Sequence, residues 1–332
     1  MALVLLDKIK NLYGFYEDHS FSQVDSHEGG RNLVYICKNK GRKSMVVRVS
    51  MTQDRLEKDY QAELEFVHYL VENGASVADV IPSKNGKLVE NIIHENKEIF
   101  VSCFEYAPGM LISDNGYNYV EGRPLSEYFY NTGKVLGKIH QLSKNYVPQN
   151  KRQDYFEKYN MEYINELIPD EYEELKESIS QRLEKFRLLS KEKNEFGLVH
   201  FDFSDGNYHI DMSDGKITVF DFDNCIYCWY MFDLANLWIH GVGWFQFEQN
   251  NEKRKEGIKD YFNTVIKGYR TETSIDDKTL ENLPLFIDMV LIENIVDEFE
   301  CCKLSGEELD YEDIKNAADC LTNNIKYAGF FS

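Results

Sequence analysis

Leu198-Val-His-Phe-Asp-Phe-Ser-Asp-Gly-Asn207, followed by Val219-Phe-Asp-Phe-Asp223, decides how this chain is read. Each stretch starts as a short apolar, strand-like run and ends in acidic residues, with a polar turn and a hairpin-like segment between them. The first supplies His200, Asp202 and Asn207, and the second supplies Asp221 and Asp223. His209 and Asp211 follow in strand alternation, so the whole set can also be read as a metallohydrolase cluster, since such sites draw on His and carboxylates. Two features weigh against that. His209 and Asp211 lack upstream partners of a hydrolase type, and Asn207 suits magnesium, which takes oxygen ligands and keeps several waters.

The Asp202-to-Asn207 spacing matches a kinase catalytic loop, in which the Asp receives the acceptor's hydroxyl proton and the Asn helps hold metal. His200-Phe-Asp-Phe-Ser-Asp-Gly-Asn207 resembles the His-Gly-Asp-Leu-His-x-x-Asn loop of the aminoglycoside phosphotransferase and choline kinase-like family. Phe220-Asp-Phe-Asp223 resembles that family's Ile-Asp-Trp/Phe segment, and Phe232-Asp-Leu-Ala235 its Tyr-Asp-Leu-Ala element. The three motifs in this order make the resemblance specific. It departs at Phe201, Phe203 and Ser204, none of which removes a group the chemistry needs. The resemblance implies Asp202 as catalytic base, Asn207 and Asp221 as metal ligands, and Asp223 as a further metal-associated carboxylate. His200 would brace the loop and Asp233 would buttress it.

Upstream, Phe21–Val24, Leu33–Cys37 and Met45–Val49 alternate as strands, and Leu56, Tyr60, Leu64, Val67 and Leu70 recur at helical spacing over residues 54–73. Leu88–Ile93 and Ile99–Phe104 read as two further antiparallel strands. This is the order of a kinase small lobe. Within it, Gly29, Gly30, Arg31 and Asn32 resemble the family's phosphate-covering loop, where glycines let backbone amides approach phosphate oxygens. Arg48 stands where kinase-like folds place a strand Lys, with Glu63 as its ionic partner. Arg is planar and bulkier than Lys, so this is not an equivalent exchange. Glu105 and Tyr106, ahead of Pro108-Gly109, resemble the hinge whose backbone meets the adenine edge.

Downstream, Leu136-Gly-Lys-Ile-His140 resembles a family helix in which His140 is structural. Tyr172, Leu175, Ile179, Leu183 and Phe186 form a packing stripe. Trp229–Phe247 holds all three Trp and reads either as core or as an aromatic wall for an acceptor. Glu293, Asp297, Glu298 and Glu300 are candidate contacts for an acceptor amine.

Composition sets the bounds. With 43% apolar and 28% charged residues among 332, the chain reads as globular and folded, of about two domains. Residues 1–106 are expected to be a nucleotide-binding lobe and 107–332 a helical catalytic and acceptor-binding lobe. The fold class expected is a two-lobed, protein kinase-like α+β arrangement. The start of the chain reads as an amphipathic helix running to Tyr13, not a signal peptide. No stretch is long enough to cross a bilayer, and seven scattered Cys imply a reduced, cytoplasmic setting. Cys225-Ile-Tyr-Cys228 has no second pair and reads as buried thiols. The formal charge of −20 disfavours nucleic acid and anionic membranes as partners and suits a cationic acceptor. The expected cofactors are Mg2+ and a nucleoside triphosphate, ATP or GTP. The expected reaction moves the γ-phosphoryl group to a hydroxyl of a small molecule, of aminoglycoside type or another cationic acceptor. A metabolic kinase for choline, homoserine or a thiosugar fits the same motifs. Arg48 also leaves open a nucleotide-binding scaffold without catalysis. Oligomeric state is not legible.

Overall fold

The computed structural model describes residues 3–15, 19–24, 32–39, 44–51 and 55–327. Gly29, Gly30 and Arg31 of the glycine loop therefore lie outside the described residues, whereas Asn32 lies within them.

Strands β1 (His19–Gln23), β2 (Asn32–Asn39), β3 (Met45–Ser50), β4 (Val89–His94) and β5 (Lys97–Glu105) form an antiparallel sheet in the order β1-β2-β3-β5-β4. Alternation along a strand sends successive side chains to opposite faces. Val47 and Val49 of β3 thus join Tyr35, Val101 and Cys103 on one face, while Arg48 between them, paired with Val34 and Ser102, faces the other way. Helix α1 (Leu3–Tyr13) covers the first face with Leu5 and Ile9, four residues apart and so on one side of the helix. Helix α2 (Glu57–Glu72) covers the second, setting Tyr60 and Leu64 on Val80, Val89 and Phe100. Each such side chain removed from water contributes on the order of 2 kcal/mol. Apolar periodicity suggested a start at 54. The helix begins later because the Leu56 N–H donates to the Asp59 carboxylate at 2.9 Å, capping it there. A second stripe of α2, Phe66, Val67 and Leu70, belongs to a different and larger core.

That larger core lies within the helical part of the chain. It contains α3 (Leu125–Ser143), α4 (Tyr155–Lys158), α5 (Met161–Leu167), α6 (Glu173–Arg187), α7 (Tyr230–Trp244), α8 (Asn251–Tyr269), α9 (Asp277–Leu280), α10 (Leu283–Ser305) and α11 (Tyr311–Thr322). Helices α3 and α8 approach closely because a Cβ at Gly133 would meet the Val265 carbonyl and one at Gly268 the Tyr130 carbonyl. Two short ladders sit between the sheet and the helices: β6 (Phe196–Val199) with β9 (Ile226–Trp229), and β7 (Tyr208–Ile210) with β8 (Ile217–Val219).

The first rings of the aromatic segment that starts at Trp229 resolve as core, while Phe247 at its far end is exposed. Trp229, Tyr230 and Phe232 are buried, and Trp244 packs edge-on against Tyr128 and Phe129. An acceptor wall built of these rings is therefore set aside. Cys225 and Cys228 are buried free thiols, as the sequence suggested, and burial pushes Cys225 up to about 12, which disfavours its thiolate. Among the described residues, no helix is long and apolar enough to cross a membrane.

Candidate active site

The two ladders bring the diagnostic loops together. The loop from His200 to Asn207 leaves β6, and the loop from Phe220 to Cys225 leaves β8. They are joined where the Phe220 N–H donates to the Asn207 carbonyl at 2.9 Å and His200 Nε2 donates to the Phe220 carbonyl at 3.0 Å. Burial lowers the pKa of His200, so its neutral ring acts as a fixed brace.

Asp233, in the first turn of α7, holds the catalytic-type loop from behind. Its carboxylate accepts from the His200 N–H at 3.0 Å and the Phe201 N–H at 2.9 Å. It also accepts from His140 Nε2 at 3.0 Å, while Nδ1 of that ring accepts from the Tyr269 hydroxyl at 2.9 Å. His140, like Asp233, is fully buried, and burial lowers its pKa, which fixes the neutral tautomer. Held this way, Phe201 adopts φ +72°, in the left-handed region, and its ring stacks on Phe232 with centroids 4.1 Å apart. Asp221 is also left-handed, at φ +62°. Such backbone costs about 1–2 kcal/mol for a residue with a side chain and persists only where surroundings impose it.

The carboxylates are electrostatically loaded. Burial, then repulsion from Asp221, pushes Asp202 up to about 7, against a bond from Asn207 Nδ2 at 2.8 Å that favours ionisation. Asp221 is likewise raised by burial and by Asp223, with Arg48 opposing. Arg48 and Glu63 make a buried fork of two bonds at 2.7 Å each. The guanidinium lies 5.1 Å from the Phe104 ring and 3.6 Å from Asp223, and its charged form is favoured. Asp223 itself sits among donors: Arg55 at 2.5 Å on one oxygen and Asn32 at 3.2 Å on the other.

The hinge is narrower than the sequence suggested. The Glu105 N–H donates to the Asp79 carbonyl at 2.8 Å and the Tyr106 N–H to the Ser44 carbonyl at 3.2 Å. Both donors are engaged within the chain because the strand edge is closed by neighbouring loops. Neither N–H is open to an outside acceptor. His209 does not join the carboxylates: Nδ1 donates to the Ala107 carbonyl at 2.8 Å, and Asp211 caps a turn at Ser213. Among the described residues, no group of three or more His, Cys, Asp or Glu side chains is arranged to hold a metal ion.

Residues 26–264 match the phosphotransferase enzyme family. The chain belongs to that family. Amicoumacin kinase of Bacillus subtilis (strain 168) is 29% identical over 302 residues, spanning 89% of this chain and 85% of that protein. A solved structure described as amicoumacin kinase hAmiN in complex with AMP-PNP, Ca2+ and Ami superposes with a TM-score of 0.82 at 24% identity, covering 100% of this chain and 96% of that one. A microcompartment-associated aminopropanol kinase superposes at 0.71 with 16% identity, covering 98% and 99%. The kinase-like α+β fold expected from the motifs is the fold found.

In this phosphotransferase, two basic residues at the site carried no signal in the sequence. Arg55 lies in the irregular segment before α2, and besides the Asp223 carboxylate it reaches the Asp223 carbonyl at 2.9 Å and Asn224 at 3.3 Å. Arg152, buried between α3 and α4, donates to the carbonyls of Cys225 at 2.7 Å, Asp223 at 2.8 Å and Asp59 at 3.1 Å. Of the acidic residues on α10, Glu293 is raised well above the usual carboxylate range by burial and by the Asp297 and Asp202 charges. Glu300 is engaged by Lys158 at 3.1 Å and the Tyr163 hydroxyl at 2.5 Å.

Proposed function

We propose that this phosphotransferase moves the γ-phosphoryl group of ATP to a hydroxyl of a small cationic acceptor. The observation that carries the reading is the convergence of Asp202, Asn207 and Asp221 beside the Arg48–Glu63 pair. Asp202 accepts the proton of the acceptor hydroxyl, whose oxygen forms the new bond to phosphorus. The bond from phosphorus to the bridging oxygen of the β-phosphate breaks, and a nucleoside diphosphate leaves. A carboxylate raised to about 7 is a base matched to neutral pH. Asn207 keeps that carboxylate oriented through its amide N–H, which leaves the amide oxygen for a hard cation.

The donor set fits Mg2+. Asp202 and Asp221 are both raised, first by burial and then by a neighbouring carboxylate, Asp221 for the one and Asp223 for the other, and a divalent ion would supply the positive charge they lack; Mg2+ is held by one or two carboxylates plus phosphates, without a protein cage. When bound, the ion would neutralise charge on the triphosphate, with Asp221 and the Asn207 oxygen as its protein ligands. Arg48, fixed by Glu63, is the basic residue that would face the phosphates, and the glycine loop at Gly29, Gly30, Arg31 and Asn32 is assigned to them by its sequence motif. The carbonyls of Glu105 and Tyr106 suit the amino group of adenine over the oxygen of guanine.

Glu293 and Asp297, electrostatically coupled to Asp202, support an ammonium-bearing acceptor. The relative named amicoumacin kinase makes an amicoumacin the first acceptor to try. Residues 1–106 and 107–332 serve as nucleotide and acceptor lobes of an enzyme working in the cytoplasm. The test is ATP-dependent phosphorylation by the purified chain of a panel of amicoumacin, aminoglycosides and simple amino alcohols. If no member is phosphorylated, or if Asp202→Asn turns over as the wild type does, the reading fails.

A further inference from the structure

We propose that Arg55 and Asp223 form a positioning clamp between the sheet and the ladder-borne loops, and that Asp223 works through this clamp and not as a ligand of the metal. The proposal rests on the phosphoryl-transfer reading above.

Both oxygens of the Asp223 carboxylate are bonded. One oxygen accepts from Arg55 Nη1 at 2.5 Å and lies 3.6 Å from Arg48 Nη1, while the other accepts from Asn32 Nδ2 at 3.2 Å. Asn32 is itself held, its Oδ1 accepting from the Ser50 hydroxyl at 2.5 Å. The Asp223 carbonyl accepts from Arg55 at 2.9 Å and Arg152 at 2.8 Å. Charge-assisted bonds of this kind are the strong ones, and Asp223 is only 7% exposed, so solvent screens them little. A divalent ion binding to this carboxylate would have to compete with Arg55 and Arg48 at one oxygen and with the Asn32 amide at the other.

The partners also span the molecule in a telling way. Asn32 and Arg48 come from β2 and β3, Arg55 from the segment entering α2, and Asp223 and Asn224 from the loop after β8. Arg152 adds a third tie, bridging the Asp59 carbonyl in α2 to those of Asp223 and Cys225. Asp221, two residues before Asp223, inherits its position and its left-handed backbone from a loop gripped on both sides. The clamp thus sets the distance between the phosphate-facing Arg48 and the metal-facing Asp221. Arg55 and Asp223 are positioning residues under this proposal, because neither touches the reacting atoms.

The experiment compares Arg55→Met, Arg55→Lys, Asp223→Asn and the Arg55→Met/Asp223→Asn double variant with the wild type. Mn2+ bound per chain in the presence of AMP-PNP, counted by electron paramagnetic resonance, is expected to be equal in all of them. Turnover is expected to fall about 10- to 100-fold in Arg55→Met and Asp223→Asn, the scale of a misplaced reacting group, with nucleotide KM moving less than about three-fold. The double variant should fall no further than the worse single one, and Arg55→Lys should recover part of the loss. A purely structural pair would lower melting temperature and leave kcat of the folded fraction intact, which would overturn the proposal. Loss of bound Mn2+ in Asp223→Asn, with retention in Arg55→Met, would overturn it as well and make Asp223 a ligand. Asp221→Ala, measured alongside, separates the two levels. If it binds as much Mn2+ as the wild type, the metal reading of the site fails, while the clamp is judged on the coupling of Arg55 and Asp223.

Discussion

Asp202 is a carboxylate kept in a place that resists its charge. Its folded pKa, about 7, lies above the value of about 3.9 for an unfolded Asp. A raised carboxylate stabilises the fold below its unfolded pKa, and that contribution is lost as pH rises through the folded value. Metal-free protein should therefore melt at progressively lower temperature between about pH 4 and pH 7 on account of this group. Asp202→Asn should flatten that part of the profile, and an unchanged slope in thermal melts would show that the charge is not resisted. Turnover in the same variant should drop by about 10²-fold or more with nucleotide binding little altered, since under the proposed reaction the carboxylate meets the acceptor and not the triphosphate. Phe201 poses a different residue-scale question. The backbone at φ +72° favours glycine, while the ring, 5% exposed and stacked on Phe232, favours the large side chain. Emptying such a site costs about 3–5 kcal/mol, against about 1–2 kcal/mol of backbone strain, so packing wins. Chemical denaturation should rank Phe201 as most stable, then Phe201→Gly, then Phe201→Ala. The order of the last two reverses the usual helix and strand preference, since Ala keeps the strain and loses the ring.

At the scale of elements, β3 and α2 meet through one buried ion pair. Removing either Arg48 or Glu63 leaves an uncompensated charge and should cost about 3–5 kcal/mol. Arg48 also has Asp223 nearby, so Glu63→Ala should fall at the lower end. The Arg48→Ala/Glu63→Ala double variant should be less damaged than the sum of its singles. Nucleotide KM should rise in Arg48→Ala and less so in Glu63→Ala, and full additivity with KM untouched in steady-state assays would show that another basic residue faces the phosphates. This pair was legible through the resemblance to kinase-like folds, which set a basic strand residue against a helix glutamate, and the two residues are found paired here. The two loops were legible because residue spacing within a tight turn survives as geometry. Arg55 and Arg152 were not, since both lie in irregular segments that have no period and find their partners 168 and 71 residues away. At the proposed hinge, the engagement of the Glu105 and Tyr106 N–H groups was not legible, because no local pattern announces a carbonyl that arrives from another loop, as those of Asp79 and Ser44 do.

The molecule as a whole carries a formal charge of −20, and its most strongly perturbed acidic side chain outside the catalytic loops, Glu293, is coupled to Asp202. The cationic acceptor proposed above would be attracted both at long range and at contact. Its KM should rise with ionic strength as the long-range part is screened, and Glu293→Gln should raise it further while leaving nucleotide KM alone. An acceptor KM indifferent to both changes, in initial-rate assays over a salt series, would exclude charge as the basis of recognition. The two-sided use of α2 has a consequence for how the chain is made. Everything needed to close the sheet and its α1 side emerges from the ribosome by residue 105, long before the catalytic loops exist. Phe66, Val67 and Leu70, however, belong to a core supplied by sequence beyond it. Until that sequence arrives, a nascent chain with a finished sheet presents an apolar stripe to water, the kind of surface that chaperones bind and that aggregates when they do not. Slowing translation just after α2 would therefore lengthen the exposure of this stripe.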